Sequence, residues 1–160
     1  MKRALMIGST VAIAMIIAAS AIRVSARTSD TAEIKVLEQR LIDGIKSKDA
    51  KQIMSFYSDD VFAYDVVPPR EYVGIAAFQK PWQGFLDMFK GTINAEVNDL
   101  VINSDGKIAY SRSVQRLSGT TNEGKPFDET FRITDVYRKS QGKWAIVQEH
   151  ISAPPHAARW

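Results

Sequence analysis

Apolar residues along this chain follow two rhythms. In the first half they fall at helical spacing. Ile34, Leu37, Leu41 and Ile45 share one stripe, and Asp30 with Glu33 three residues on reads as a capping box opening that helix. A second, shorter helix is expected after Asp49, presenting Ile53, Met54 and Phe56. Val61 to Val66 reads as a strand stopped by Pro68 and Pro69. After Gly74 a third helical segment carries Phe78, Trp82, Phe85, Leu86 and Phe89, and Pro81 inside it is expected to kink or divide it.

From Thr92 onward the rhythm changes to a period of two. Thr92 to Ile102 is one strand, and Asp105-Gly106 turns it into Ile108 to Leu117. A looser connection over Thr121 to Pro126 leads to Phe127 to Lys139, and the turn at Ser140 to Gly142 returns the chain to a last strand from Trp144. Strict alternation puts Trp144, Ile146, Gln148, His150 and Ser152 on one face of that strand, with Ala145, Val147, Glu149 and Ile151 on the other. A polar end on an apolar face suggests a core that opens into a pocket. Helices early and a meander late predict an α+β domain, with N-terminal helices packed on one face of a curved antiparallel sheet.

Charge changes the picture only after the N-terminus is set aside. Lys2 and Arg3 precede an uncharged, mostly apolar run from Ala4 to Ile22, and Val24, Ser25 and Ala26 supply small residues for a signal peptidase. Residues 1–26 therefore read as a signal peptide and 27–154 as the domain, with 155–160 as a flexible tail containing His156. The rival reading is an uncleaved membrane anchor. The chain holds 21 Lys and Arg against 18 Asp and Glu; Lys2, Arg3 and Arg23 lie in the leader, leaving residues 27–160 balanced at 18 against 18. The basic character belongs to the leader and does not argue for nucleic acid. The expected location is periplasmic or secreted. With no cysteine, disulfides contribute nothing even there.

Three segments in this order resemble the nuclear-transport-factor-2-like superfamily. They are Phe56 to Asp65 followed by Gly74 to Phe78, then Arg132 to Arg138, then Gly142 to Pro154 with its His150-x-Ser152-x-Pro154 ending. Within that superfamily the chain is similar to SnoaL-like proteins, steroid delta-isomerases and the association domain of calcium/calmodulin-dependent protein kinase II. The resemblance implies a cone-shaped α+β fold enclosing a pocket. It also implies functions ranging from isomerase or cyclase chemistry to non-catalytic assembly. By spacing, Asp65 matches the isomerase general base, and Asp135 matches its oxyanion-stabilising acid if one loop residue is dropped. The isomerase's oxyanion tyrosine corresponds to Leu41 here. His150 resembles the kinase association domain, which carries a second histidine at the position of Gln148 and an arginine near that of Asp135.

The residues themselves suggest two chemistries. Phe127, Glu129, Phe131, Ile133, Asp135 and Tyr137 share the buried face of one strand, so Asp135 would be a carboxylate among apolar neighbours, with His150 on the next strand as its partner. A neutral Asp135 could donate to an oxyanion; an ionised one could orient His150 as the acid–base group. The plainer alternative is a structural bond between strands. Asp65, near the pocket mouth, is either a proton-moving base or an aspartate binding backbone amides at a strand end. The expected catalytic set is therefore Asp65, Asp135 and His150, with Tyr64, Trp82, Tyr137 and Gln148 against the ligand. Two histidines and no cysteine leave a metal site short of ligands, no Gly-x-Ser-x-Gly elbow or glycine-rich phosphate loop is present, and no cofactor is expected. The expected partners are a small apolar ligand and a second copy of the chain. That copy would dock on the outer sheet face, where Tyr110, Arg112, Val114 and Arg116 alternate and Val136, Val147, Glu149 and Ile151 would extend the surface.

Overall fold

The computed structural model describes residues 28–154; the leader, the tail and His156 lie outside the described residues. Helix α1 occupies 28–47, followed by α2 (Ala50–Met54), β1 (Tyr57–Tyr64), β2 (Tyr72–Val73) and α3 (Ile75–Asp87). The rest is a meander of long strands: β3 (Asn94–Ser104), β4 (Ile108–Thr120), β5 (Pro126–Ser140) and β6 (Lys143–Ser152). The six strands form one sheet in the order β2-β1-β6-β5-β4-β3. The fold is α+β as expected, but the sheet is mixed. The chain passes from β1 through helix α3 and four strands before β6 returns beside β1, and that pair runs parallel.

The helical stripe behaves as its spacing dictates. Ile34, Leu41 and Ile45 are buried, and Ile42 joins them, as does Ile53 from α2. Asp49 caps α2 by accepting from the Gln52 amide at 2.9 Å. The capping box at Asp30 is not there. Residues 28 and 29 are already helical, and Asp30, inside the helix rather than before it, is buried where Lys139 reaches it at 2.8 Å. An ion pair to the sheet has taken the carboxylate that sequence assigned to the helix start.

Three further elements depart from expectation. The first strand starts four residues early, at Tyr57, and stops at Tyr64. The short β2 was not foreseen, since two residues carry no readable period; it pairs Val73 with Phe62 and Tyr72 with Ala63. Helix α3 runs unbroken through Pro81. The carbonyl left without its amide partner is that of Ala77, on the exposed side of the helix, where water can replace the lost bond.

Both hairpin turns form at the foreseen places. Gly106 has φ 97°, and Asp105 Oδ1 accepts from the amides of Lys107 and Ile108 at 2.9 Å each. At the second turn Gln141 and Gly142 both have positive φ, the backbone twist that a two-residue hairpin loop requires. The core lies between the three helices and the inner face of the sheet. No helix among the described residues is long and apolar enough to cross a membrane.

Candidate active site

The inner face of the sheet changes character along its length. Near the β3–β4 and β5–β6 turns it is packed with Ala109, Tyr137, Trp144 and Ile146, all buried. Toward the opposite end the sheet and α3 separate into a cavity of about 810 Å³. Leu117 and Gln115 on β4, Phe127, Phe131 and Ile133 on β5, and Ile151 on β6 form one wall. Trp82 and Phe85 of α3 and Met88 at its C-terminal cap form the other, with the 65–69 segment and Tyr72 at its edge. The volume suits a drug-sized molecule, and the lining is apolar with a few polar groups, as small-molecule sites usually are.

Asp65 is the titratable group on this wall that sequence reading singled out. It follows directly on β1, and its Oδ1 accepts from the Val66 amide at 2.6 Å. Burial raises its proton affinity above that of an ordinary aspartate, and the amides of Val66 and Val67 partly oppose that rise. The backbone-binding role and the pocket position thus coexist. Tyr72 closes the same edge, donating its hydroxyl to the Pro68 carbonyl at 2.8 Å.

Asp135 and His150 are not brought together. The β5–β6 register runs from Val136 opposite Gln148 to Tyr137 opposite Ile146, so Val147 is an extra residue on β6. A bulge of this kind reverses which side chains point inward beyond it. Trp144 and Ile146 stay inside as expected, but past the bulge Glu149 turns in and His150 turns out. His150 sits on the outer face, its ring edge-on to Tyr64 with centroids 5.6 Å apart. Glu149 takes the inward place opposite Asp135. The same reversal puts Gln148 on the outer side and Ile151 on the cavity wall, removing Glu149 and Ile151 from the expected outer surface.

Asp135 is buried as expected, but one layer below the cavity, in a network that sequence reading missed. Glu38 of α1, Asp135 and Glu149 are each 2–3% exposed. Tyr57 donates to Glu149 Oε1 at 2.9 Å, and Tyr137 donates to Glu38 Oε1. Ser111 lies 2.9 Å from the Tyr137 hydroxyl and donates to Asp135 Oδ2 at 3.4 Å. The salt bridges among the described residues include none of the three acids. Burial, with no cation to offset it, drives all three proton affinities upward: Glu149 to about 8, Asp135 well above its usual range, and Glu38 upward against the bonds from Tyr137 and Asp135. Asp135 Oδ1 and Glu149 Oε2 are buried without a hydrogen-bond partner. A proton held by one of these facing carboxyls satisfies both.

Of the four residues expected against the ligand, Trp82 lines the cavity. Tyr137 is fully buried in the acid network, whereas Tyr64 and Gln148 face outward. Glu38 was legible in principle, because it falls inside the apolar stripe between Leu37 and Leu41. Ser111, Ser113 and Gln115 were legible too, as the inward alternates of Tyr110, Arg112, Val114 and Arg116.

Solved structures share this architecture. An NTF2-like protein of unknown function from Pseudomonas putida KT2440 is 26% identical, with a TM-score of 0.73 over 81% of this chain and 90% of that one. A putative calcium/calmodulin-dependent protein kinase II association domain from Xanthomonas campestris is 22% identical, with a TM-score of 0.69 over 78% and 88%. A putative scytalone dehydratase from Novosphingobium aromaticivorans is 13% identical, with a TM-score of 0.74 over 82% and 89%. The last two likenesses are likenesses of fold. No curated protein matches by sequence. The SnoaL-like domain family matches residues 34–156, most of the chain and nearly all of its described part. The chain belongs to the family of SnoaL-like domains.

Proposed function

We propose that the domain binds a small, largely apolar carbonyl compound in the cavity and moves a proton on it, with Asp65 as the base and no cofactor. The observation that carries this reading is a half-buried carboxyl with raised proton affinity on the wall of an 810 Å³ apolar cavity. A base needs reach and a proton affinity suited to the working pH, and burial shifts that of Asp65 upward. Asp135 and His150 lie off the cavity wall, so this reading assigns neither of them direct contact with the compound. That same observation favours a second reading, in which the cavity holds its ligand without turnover.

A thermal-shift screen of small enones and other apolar carbonyl compounds, followed by proton–deuterium exchange on those that bind, separates the two. Exchange that is fast in the wild type and slow in Asp65→Asn supports catalysis. Binding without exchange supports the carrier reading, and no binding defeats both. The leader supports export of the domain. For a second copy we propose the outer sheet face, where Tyr110 and Arg112 on β4 and Val136 on β5 adjoin Tyr64 and His150; analytical ultracentrifugation of Tyr110→Glu tests that interface.

A further inference from the structure

The acid network does not end at the interior. Glu149 is the register partner of Asp135 on one side and of Ala63 on the other. Asp65 lies two residues beyond Ala63, just past the end of β1 at Tyr64, and lines the cavity. Two residues from the register partner of Glu149, the Asp65 carboxylate is placed for its charge to favour the protonated form of Glu149. Four acids thus run from the cavity wall inward: Asp65, Glu149, Asp135 and Glu38.

We propose that Glu149 is a positioning residue for Asp65, holding a proton behind the cavity wall so that the negative charge available at neutral pH resides on Asp65. The inference rests on the reading of Asp65 as the base. A charged Glu149 directly behind Asp65 would favour the protonated, inactive form of the base. A neutral Glu149 leaves Asp65 free to ionise. The surroundings of Glu149 suit this role. Tyr57 of β1 donates to its Oε1, while Asp135 of β5 and Glu38 of α1 present further acids and Ser111 and Tyr137 present hydroxyls to those acids. None of these groups is a cation that would hold Glu149 ionised. When Asp65 accepts a proton its charge disappears, and Glu149 becomes easier to ionise; the two carboxyls exchange one charge between them.

The test is a carbon-13 NMR titration of the side-chain carboxyls in the full domain, which needs neither ligand nor turnover. In the wild type the Asp65 carboxyl signal should move twice, once with its own ionisation and again near pH 8 as Glu149 ionises. Glu149→Gln keeps the acceptor for Tyr57 and should abolish the second movement. Asp65→Asn, at a half-exposed position that should not disturb folding, should lower the Glu149 midpoint from about 8. A Glu149 midpoint unchanged in Asp65→Asn, or an Asp65 signal with no alkaline movement in the wild type, overturns the proposal. Both results are independent of exchange activity. A normal titration pair with no exchange on any carbonyl compound therefore defeats the proposed function and leaves the coupling of the two carboxyls standing.

Discussion

Asp135 faces Glu149 across the β5–β6 pair, while His150, one residue on, stands outside against Tyr64. One extra residue, Val147, decides this. It converts what alternation reads as an acid–base pair into two buried carboxyls in register. The consequence is a domain whose interior binds protons more tightly than its unfolded chain does.

Stability should therefore fall as pH rises. The folded proton affinity of Glu149 is raised from 4.5 to about 8, and those of Asp135 and Glu38 are raised as well. A carboxyl raised in this way binds more protons in the folded state than in the unfolded one. Its contribution is complete below pH 4.5 and is lost progressively up to about pH 8. Melting temperatures should decline between pH 5 and 8, and Glu149 should add nothing to any further decline above that. Glu149→Gln, whose amide can donate to Asp135, should flatten that slope and melt higher than the wild type at pH 8. A slope unchanged in the variant would remove Glu149 from the account.

His150→Ala should leave the cavity untouched. The ring is exposed, and its visible partner is the edge of Tyr64, so the expected loss is about 0.5–1 kcal/mol. Affinity for a cavity ligand should not change. A loss of binding as large as that of a cavity-wall variant such as Trp82→Ala would mean that the histidine reaches the pocket after all. Urea unfolding and ligand titration of the one variant measure both quantities.

The order of elements, both hairpin turns and the inward face of β5 were legible because each rests on a local signal: an apolar period, or a turn residue such as Gly142. Asp135 was placed inward on that basis, and Asp65 near the mouth by its position before Pro68 and Pro69. What failed was the carriage of a period past Val147. A bulge leaves no signature when the extra residue is an ordinary valine, and one slip flips every side chain after it. Asp30 failed differently. A helix cap and an ion pair from the helix to Lys139 use the same residue type, and tertiary contact chose the second.

Removing the Asp65 carboxylate should separate chemistry from binding. Asn is nearly isosteric and can still accept from the Val66 amide, so affinity for a neutral carbonyl compound should stay within a few fold. Exchange at the acidic C–H should fall by about 10²–10⁴-fold, the usual contribution of a positioned base. Equal losses of binding and exchange would make Asp65 a wall residue rather than a base.

The back of the cavity is set by a close approach that sequence does not reveal. A Cβ on Gly119 would lie 2.9 Å from Cδ1 of Phe89. Phe89 is buried, with its ring 5.1 Å from both Phe85 and Phe127, and those two rings line the cavity. Gly119→Ala should therefore push one aromatic wall inward and destabilise the fold by about 1–3 kcal/mol, the usual range for overpacking. Gly84 is the contrasting position: it also lines the cavity, but a Cβ there meets nothing within 4 Å. Gly84→Ala should stabilise α3 by about 0.5–1 kcal/mol, and Gly84→Leu should occupy cavity volume without straining the core. Ligand affinity should thus fall in Gly119→Ala together with stability, and in Gly84→Leu without it. Calorimetric titration beside urea unfolding of the three variants checks this. Undiminished affinity in Gly84→Leu would place the ligand somewhere other than between α3 and the sheet.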